Sequence, residues 1–353
     1  MFSPKYIITN KILINIGRIE AAKEVIENAP LVPFYEKKFQ SDAVARTVHH
    51  GTHIEGNELN LDQTKRILEG EAVIAHDRDI QEVINYRNVM LLLDELADKR
   101  GGYDLEMLTE IHRLTVDKII PEEKSGYFRK TQVIVKEEGT GKVVFNPPSW
   151  DKVESLLGEF IDWLNRANTR AIHSILKAGI VHYILVSIHP FVEGNGRTAR
   201  AFASLILLRD KYDIKKFFAL EEHFDQDPGS YYQAFAETDK IAGNVFERDL
   251  TRWLEYFTEV VAVELTKIKE SVRKLSIDSK IKGKIGEQIA LSERQMKLME
   301  YISENASAPM QELKNVLTMV SEDTVLRDLN DLMDKGIIKK EGRTKAARYE
   351  VAK

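Results

Sequence analysis

Residues His189 to Arg200 read HPFVEGNGRTAR, and this stretch limits what the chain can fold into more than any other. It holds a histidine, a carboxylate, an asparagine between two glycines, and two arginines. Apolar helical sequence lies on both sides, Ser174 to Ile188 before it and Thr198 to Asp210 after it. The second run places Ala201, Phe202, Leu205, Ile206 and Leu208 all round its circumference, the pattern of a helix buried on every face. The spacing therefore predicts a polar loop pinned between two buried helices.

The residue types in that loop suggest its chemistry. Gly194-Asn195-Gly196 ahead of an apolar helix can form a nest of backbone N–H groups at a helix N-terminus, which binds phosphate through its donors and the helix dipole. Arg197 lies on the first turn and Arg200 three residues later, so both guanidiniums share a face and can meet one polyphosphate. Glu193 precedes the nest, where a carboxylate beside bound phosphates holds Mg2+. His189 is one short loop away and can act as a general base near neutral pH. Together these parts suit nucleotidyl or phosphoryl transfer. Gly139-Thr-Gly-Lys142 lacks the remaining glycine and hydroxyl of a P-loop.

The 353 residues allow two or three domains, and 43% hydrophobic with 30% charged residues is ordinary for a globular protein. A net charge of −5 gives no overall pull toward nucleic acid or membrane. The absence of cysteine excludes disulfides and thiolate metal sites. Ile180 to Ile188 is too short to span a bilayer and is interrupted by His182 and Tyr183. The expected location is cytoplasmic, with no membrane partner.

Along the chain, residues 1–40 are mixed, with a break at Pro30 and Pro33. A helical pattern starts at Ser41 and ends near Gly56 and Asn57, which suit a C-terminal cap. Glu55 then falls on the last turn, where the helix dipole disfavours a carboxylate, so it should have a cationic partner elsewhere. His49 and His53 are one turn apart and read as structural histidines. Helices are expected over Leu61–Glu69, Asp79–Lys99, Leu105–Lys118, Val153–Asn165, Tyr231–Asp239 and Val245–Lys274. Gln132–Lys136 and Lys142–Phe145, joined through Glu138–Gly141, read as a β-hairpin. Its edge could pair with an extended target and hold a hydroxyl in register. After a lysine- and glycine-containing linker, three short helices and a two-strand wing outline a winged helix. The candidate recognition helix, Ser321–Lys335, is rich in Asp and Glu, and the basic residues gather on the wing.

HPFVEGNGRTAR resembles the Fic-domain signature HPFx(D/E)GNGRxxR at every defined position. The resemblance extends from about Ser41 to Glu259, taking in the hairpin as a flap and Tyr231-Tyr232. It implies an all-α fold, a mainly helical Fic core with one β-hairpin flap, joined here to a small α+β winged-helix C-terminal domain. The implied activity is protein adenylyltransferase: AMP moves from ATP to a Ser, Thr or Tyr hydroxyl and pyrophosphate leaves. Carried over by position, His189 is the base and Glu193, helped by Asn195, holds Mg2+. Gly194, Asn195, Gly196 and Arg197 face the inner phosphates of ATP, Arg200 the γ-phosphate, and Tyr232 the adenine. Asp239 stands where many relatives have Asn.

Thr52 to Asn57 resembles the inhibitory motif (S/T)xxxE(G/N) of the family, departing at Gly51. By that resemblance Glu55 pairs with Arg200 and occupies the γ-phosphate space. The expected domains are an N-terminal helical region over 1–110, with an inhibitory helix around 42–56, and a catalytic core over 111–275 with its flap at 126–146. A linker over 276–290 and a winged-helix-like domain over 291–353 follow. Expected partners are a protein substrate along the flap, the chain itself through self-AMPylation or homodimerisation, and DNA at the wing. Alternative readings are a DNA-binding regulator with a nucleotide-sensing core, and a Fic enzyme that removes AMP or uses another nucleotide.

Overall fold

A computed structural model describes residues 2–29, 31, 33–136, 143–212, 214–239, 244–275, 291–305, 307–317, 320–342 and 347–352. The expected hairpin turn at 138–141 and the linker at 276–290 lie outside the described residues. The chain divides into two compact units, Met1–Ala29 with Lys38–Arg273, and Pro30–Lys37 with Lys274–Lys353.

Some helices of the larger unit begin where a side chain serves their free N–H groups. Thr9 caps α1 (Asn10–Asn28). Then come α2 (Pro33–His53) and α3 (Leu61–Leu68), the latter opened by an Asn60–Gln63 capping box. After α4 (Asp77–Asp98), Asp104 caps α5 (Leu105–Thr115) by accepting from the Met107 N–H at 2.8 Å. A short antiparallel hairpin follows, β1 (Val135–Lys136) against β2 (Val143–Phe145), with a bulge between Val135 and Lys136. The remaining helices are α6 (Val153–Leu164), α7 (Ser174–Ile188), α8 (Asn195–Arg209), α9 (Leu220–Gln226), α10 (Pro228–Asp239) and α11 (Thr251–Leu275).

At the centre α7 and α8 pack on each other, and α8 also packs on α4 and α5. Two buried polar side chains of α7 are paired, as burial favours, whereas the Ser187 hydroxyl has no partner among the described residues. Lys177 reaches Asp210 at 2.6 Å and His182 meets the Tyr231 hydroxyl at 3.0 Å. An aromatic cluster of Tyr183, Phe224, Tyr231, Phe235, Trp253 and Phe257 fills the space between α7, α10 and α11. Trp253 is fully buried and donates its indole N–H to the Gly179 carbonyl at 2.7 Å.

Two elements depart from the sequence reading. The mixed N-terminus contains α1, whose buried stripe is Ile12, Asn15, Ile19, Ala22 and Ile26. An asparagine and an alanine dilute that stripe, while Leu13 and Ile14 are exposed on the other side, so the apolar period is blurred. Asn15 lies on the stripe because its amide donates to Thr258 of α11 at 3.2 Å. The hairpin strands are also shorter than expected, since Gln132 to Ile134 do not pair. The Gln132 amide instead donates to the Pro147 carbonyl at 3.1 Å and to Asn146 at 3.3 Å.

The second unit contains α12 (Glu293–Glu304), β3 (Ser307–Pro309), α13 (Met310–Val316), α14 (Glu322–Asp334), β4 (Ile338–Glu341) and β5 (Arg348–Val351). The antiparallel sheet runs in the order β3-β5-β4. Leu298, Ile302, Leu313, Val325, Leu329, Leu332 and Tyr349 form its core. Ser-Ala-Pro has no strand pattern in sequence; β3 exists because Ser307 to Pro309 register against Arg348 to Glu350. Two acids of α14 are structural: Asp328 is buried against Arg294 at 2.8 Å, and Asp331 pairs with Lys335. Among the described residues no helix is long and apolar enough to cross a membrane.

Trp253→Ala is expected to lower unfolding stability by about 3–5 kcal/mol through the cavity it leaves, read as a lower urea midpoint.

Candidate active site

The loop between α7 and α8 is shaped mainly by neutral groups. His189 caps α7 in the left-handed region at φ 53, with its N–H donating to Leu185 at 3.0 Å. A non-glycine residue there costs about 1 kcal/mol, so something must hold it. The holder is Arg129, whose Nε donates to the His189 carbonyl at 2.8 Å, a charge-assisted bond of about 1.5–3 kcal/mol. His189 Nδ1 lies 3.3 Å from the Val186 carbonyl, which places the proton there and leaves Nε2 as the open nitrogen. Burial pushes the imidazole down to about 4, with the Arg129 charge acting in the same direction. The ring is therefore neutral at pH 7 and able to accept a proton.

His112, on the buried face of α5, braces the next part of the loop. Its Nε2–H donates to the Glu193 carbonyl at 3.0 Å, and its Nδ1 accepts from the Gly126 N–H at 3.0 Å. Its ring stacks on Phe191 with centroids 3.6 Å apart. Burial lowers this histidine to about 4 as well, consistent with one fixed neutral tautomer. The Asn195 amide closes the loop on Phe191, accepting from its N–H and donating to its carbonyl, both at 2.9 Å. The Asn195 side chain is buried, and one lone pair of its amide oxygen is engaged by the Phe191 N–H. Gly194 needs its hydrogen twice over. Its φ is 75, and a Cβ would lie 2.7 Å from the Val116 side chain.

The charged groups gather at the start of α8, which has no side-chain cap. Arg197 and Arg200 are both buried there. Arg200 Nη2 donates to Glu55 Oε1 and to the Gly51 carbonyl, each at 2.9 Å. Arg197 lies 3.2 Å from Glu82 and 3.9 Å from Glu193. Glu193 is 34% exposed and pairs with Arg78. Glu82, buried on α4, also receives the Asn57 amide at 3.1 Å and Arg78 at 3.3 Å. Among the described residues the Nε atoms of Arg197 and Arg200 have no acceptor.

Glu55 reaches this place because of how α2 ends. Gly56 takes φ 97, its N–H bonds the His53 carbonyl at 2.9 Å, and the Asn57 N–H bonds the Thr52 carbonyl at 3.3 Å. This is a Schellman termination with Glu55 on the last turn. A Cβ on Gly196 would fall 2.2 Å from Glu55 Oε1, so the carboxylate lies directly over the second glycine of the nest. Burial alone would raise the Glu55 carboxyl, but Arg200 and Arg197 outweigh it and hold it below the usual range. The end of α2 is tied further by His50 and His53, which meet Asp225 at 2.7 and 2.8 Å. Among the described residues no cluster of His, Cys, Asp or Glu has metal-binding geometry.

Of the Tyr231-Tyr232 pair, Tyr231 is buried and bonded to His182, while Tyr232 is 55% exposed beside it. Asp239 is paired with Arg248 and takes the Tyr183 hydroxyl. Sequence reasoning passed over His112, Arg129 and Glu82. Two of them had a signal. Glu82 falls on the buried stripe of α4 with Tyr86, Val89 and Leu93, and His112 on that of α5 with Leu108 and Ile111. A polar residue on an apolar stripe implies a buried partner.

Residues 102–207 match the Fic/DOC family, and residues 294–346 match a DeoR-like helix-turn-helix domain. The chain is 38% identical over 169 residues to the protein adenylyltransferase fic-1 of Caenorhabditis briggsae, covering 47% of this chain and 32% of that protein. It is 28% identical over 232 residues to the protein adenylyltransferase Fic of Nematostella vectensis, covering 60% and 51%. The matched part thus spans only about a third to a half of these curated relatives. A crystal structure of a Fic family protein from Desulfovibrio desulfuricans G20 shares the fold with a TM-score of 0.67 at 23% identity, covering 99% of this chain and 98% of that one. Fic-1 from Caenorhabditis elegans superposes with a TM-score of 0.58 at 25% identity, covering 74% and 73%.

Glu55→Gln removes the charged partner of Arg200 and is expected to cost about 1–3 kcal/mol at pH 7. Because the folded carboxyl sits below its ordinary 4.5, that stabilisation is present above 4.5 and is lost as pH falls through the folded value. Urea unfolding of both proteins at pH 7 and pH 3 should show a gap that closes in acid.

Proposed function

We propose that this chain, which carries a Fic domain followed by a DeoR-like helix-turn-helix domain, transfers AMP from ATP to a protein hydroxyl, with Glu55 holding the reaction off. The observation that carries the reading is the carboxylate of Glu55 over Gly196, 2.9 Å from Arg200. An anion already lies on the uncapped start of α8, where a nest and two buried guanidiniums suit phosphates. The names of the curated relatives point the same way.

In this reading the phosphates of ATP lie along Gly194 to Arg197, with the terminal phosphate at Arg200 and the adenine against Tyr232. His189 Nε2 accepts the proton of the acceptor hydroxyl as its oxygen attacks the α-phosphorus. The bond from that phosphorus to the bridging oxygen breaks, and pyrophosphate leaves with the electron pair. Arg197, Arg200 and the N–H groups of α8 stabilise the charge that builds on the phosphates. Mg2+ fits the donor set, because it is commonly held by one carboxylate together with phosphate oxygens and water. Glu193 would hold it, and the ion would offset phosphate charge. The hairpin edge would dock the acceptor segment, a Ser, Thr or Tyr of a protein that includes this chain itself. Glu55 and the terminal phosphate compete for Arg200, so ATP binds productively only once the carboxylate has moved.

A second reading concerns the other unit. The helix-turn-helix match and the basic side chains of Lys339, Lys340 and Arg348 on β4 and β5 support contact with DNA phosphates through the wing. The acidic face of α14 argues against this helix as the main contact, since Glu322, Asp323 and Asp334 are exposed there. Duplex binding should weaken steeply with salt, and Lys340→Glu should weaken it several-fold in a gel-shift titration.

For the catalytic reading, Glu55→Gly is expected to raise incorporation of radiolabelled AMP at least tenfold. His189→Ala in that background should lower it by about a hundredfold or more. With His189 held at about 4, the rate in the Glu55→Gly protein should not fall between pH 8 and pH 6, and should drop as pH approaches 4. Unchanged labelling in Glu55→Gly would remove Glu55 from the inhibitory role.

A further inference from the structure

Arg129 is a buried cation that meets no carboxylate among the described residues. It is 3% exposed, and among the described residues its side-chain donors go only to carbonyls. Nε donates to His189 at 2.8 Å, Nη1 to Thr131 at 3.2 Å, and Nη2 to Pro148. Its backbone N–H donates to the Pro190 carbonyl at 2.9 Å. These acceptors come from three separate places: the approach to β1, the exit from β2, and the first two residues of the loop before α8. A planar fork can gather carbonyls from several directions, whereas an ammonium is a point donor.

Other contacts lie along the same line. Gln132 braces the two approaches to the hairpin through Asn146 and Pro147. The Phe145 ring of β2 has its centroid 6.4 Å from the His189 imidazole. Two charged groups act on that imidazole: Arg129 favours its neutral form, and the Glu55 carboxylate opposes it.

We propose that Arg129 is a positioning residue that fastens both roots of the hairpin to the backbone of His189, so that the strand edge and the imidazole keep one fixed relation. Its purpose rests on the AMP-transfer reading: an acceptor hydroxyl lying along the hairpin would then stay in reach of the base. Burial does most to keep that base unprotonated, and the Arg129 charge adds to it, so the residue that holds His189 in place also favours its neutral form.

The test uses the full chain with Arg129→Met and Arg129→Lys, each also placed in the Glu55→Gly background. Hydrogen exchange across residues 131–148 is expected to quicken tenfold or more in both variants, because neither side chain can bridge three carbonyls. In Glu55→Gly, Arg129→Met should raise KM for the acceptor protein more than fivefold, leave KM for ATP within twofold, and move the acid limb of the rate to higher pH. Arg129→Lys keeps the charge, so its acid limb should stay in place while its acceptor KM rises. Unchanged exchange across 131–148 in Arg129→Lys overturns the proposal, even where Arg129→Met fails to fold. If Glu55→Gly itself incorporates no AMP, the transfer reading fails, and the exchange result still decides the tether.

Discussion

Two guanidiniums buried at the uncapped start of one helix set the terms for the rest of this unit. Buried cations need negative partners, because removing a charge from water is costly unless it is matched. Arg200 has Glu55, and Arg197 has Glu82 with Glu193 further off. These carboxylates come from three places in the chain: the end of α2, the second turn of α4, and the loop itself. The helix N-terminus adds its own positive field to the same spot. The packing of α2 and α4 around α8 is thus tied to the same charge balance that a polyphosphate would enter.

The loop that carries these charges is held by groups that carry none. His112 is neutral and fixed in one tautomer by two backbone partners. Asn195 spends its amide on Phe191, and Gly194 supplies a left-handed turn against Val116. This division has a physical basis. A neutral brace keeps its geometry when a highly charged ligand arrives, whereas an ionic brace would be drawn into competition with it. Arg129 is the exception, and its side-chain partners among the described residues are all carbonyls.

Much of this was legible in the sequence. The apolar runs flanking His189 to Arg200 announced α7 and α8, and the density of polar groups between them announced a site. Glu55 announced a distant cation because a carboxylate at a helix C-terminus opposes the dipole, and Arg200 lies 2.9 Å away. Other parts could not be read. Nothing local marks Ser307 to Pro309 as a strand, because its pairing comes from Arg348 to Glu350. The stripe of α1 includes Asn15, which is explained only by Thr258, more than two hundred residues away. Nothing local shows that the Asn195 amide bonds the backbone of Phe191. What escaped the sequence is what depends on long-range pairing.

The position of Glu55 bears on how firmly it can hold. Arg200 attracts it, but the C-terminal dipole of α2 repels it by about 0.3–1 kcal/mol, and burial also works against its charge. The pair is therefore weaker than its geometry alone suggests. The turn that carries Glu55 is by contrast well tied, through Asn57 to Glu82 and through His50 and His53 to Asp225. A tightly anchored turn whose carboxylate sits on a rotatable side chain favours displacement of the side chain over unwinding of the helix. It also joins that displacement to Arg197, since Glu82 contacts both the anchor and that guanidinium. On the proposed reading, phosphate binding at Arg197 and release of Glu55 from Arg200 would then be linked through one buried glutamate, and linkage of that kind is reciprocal.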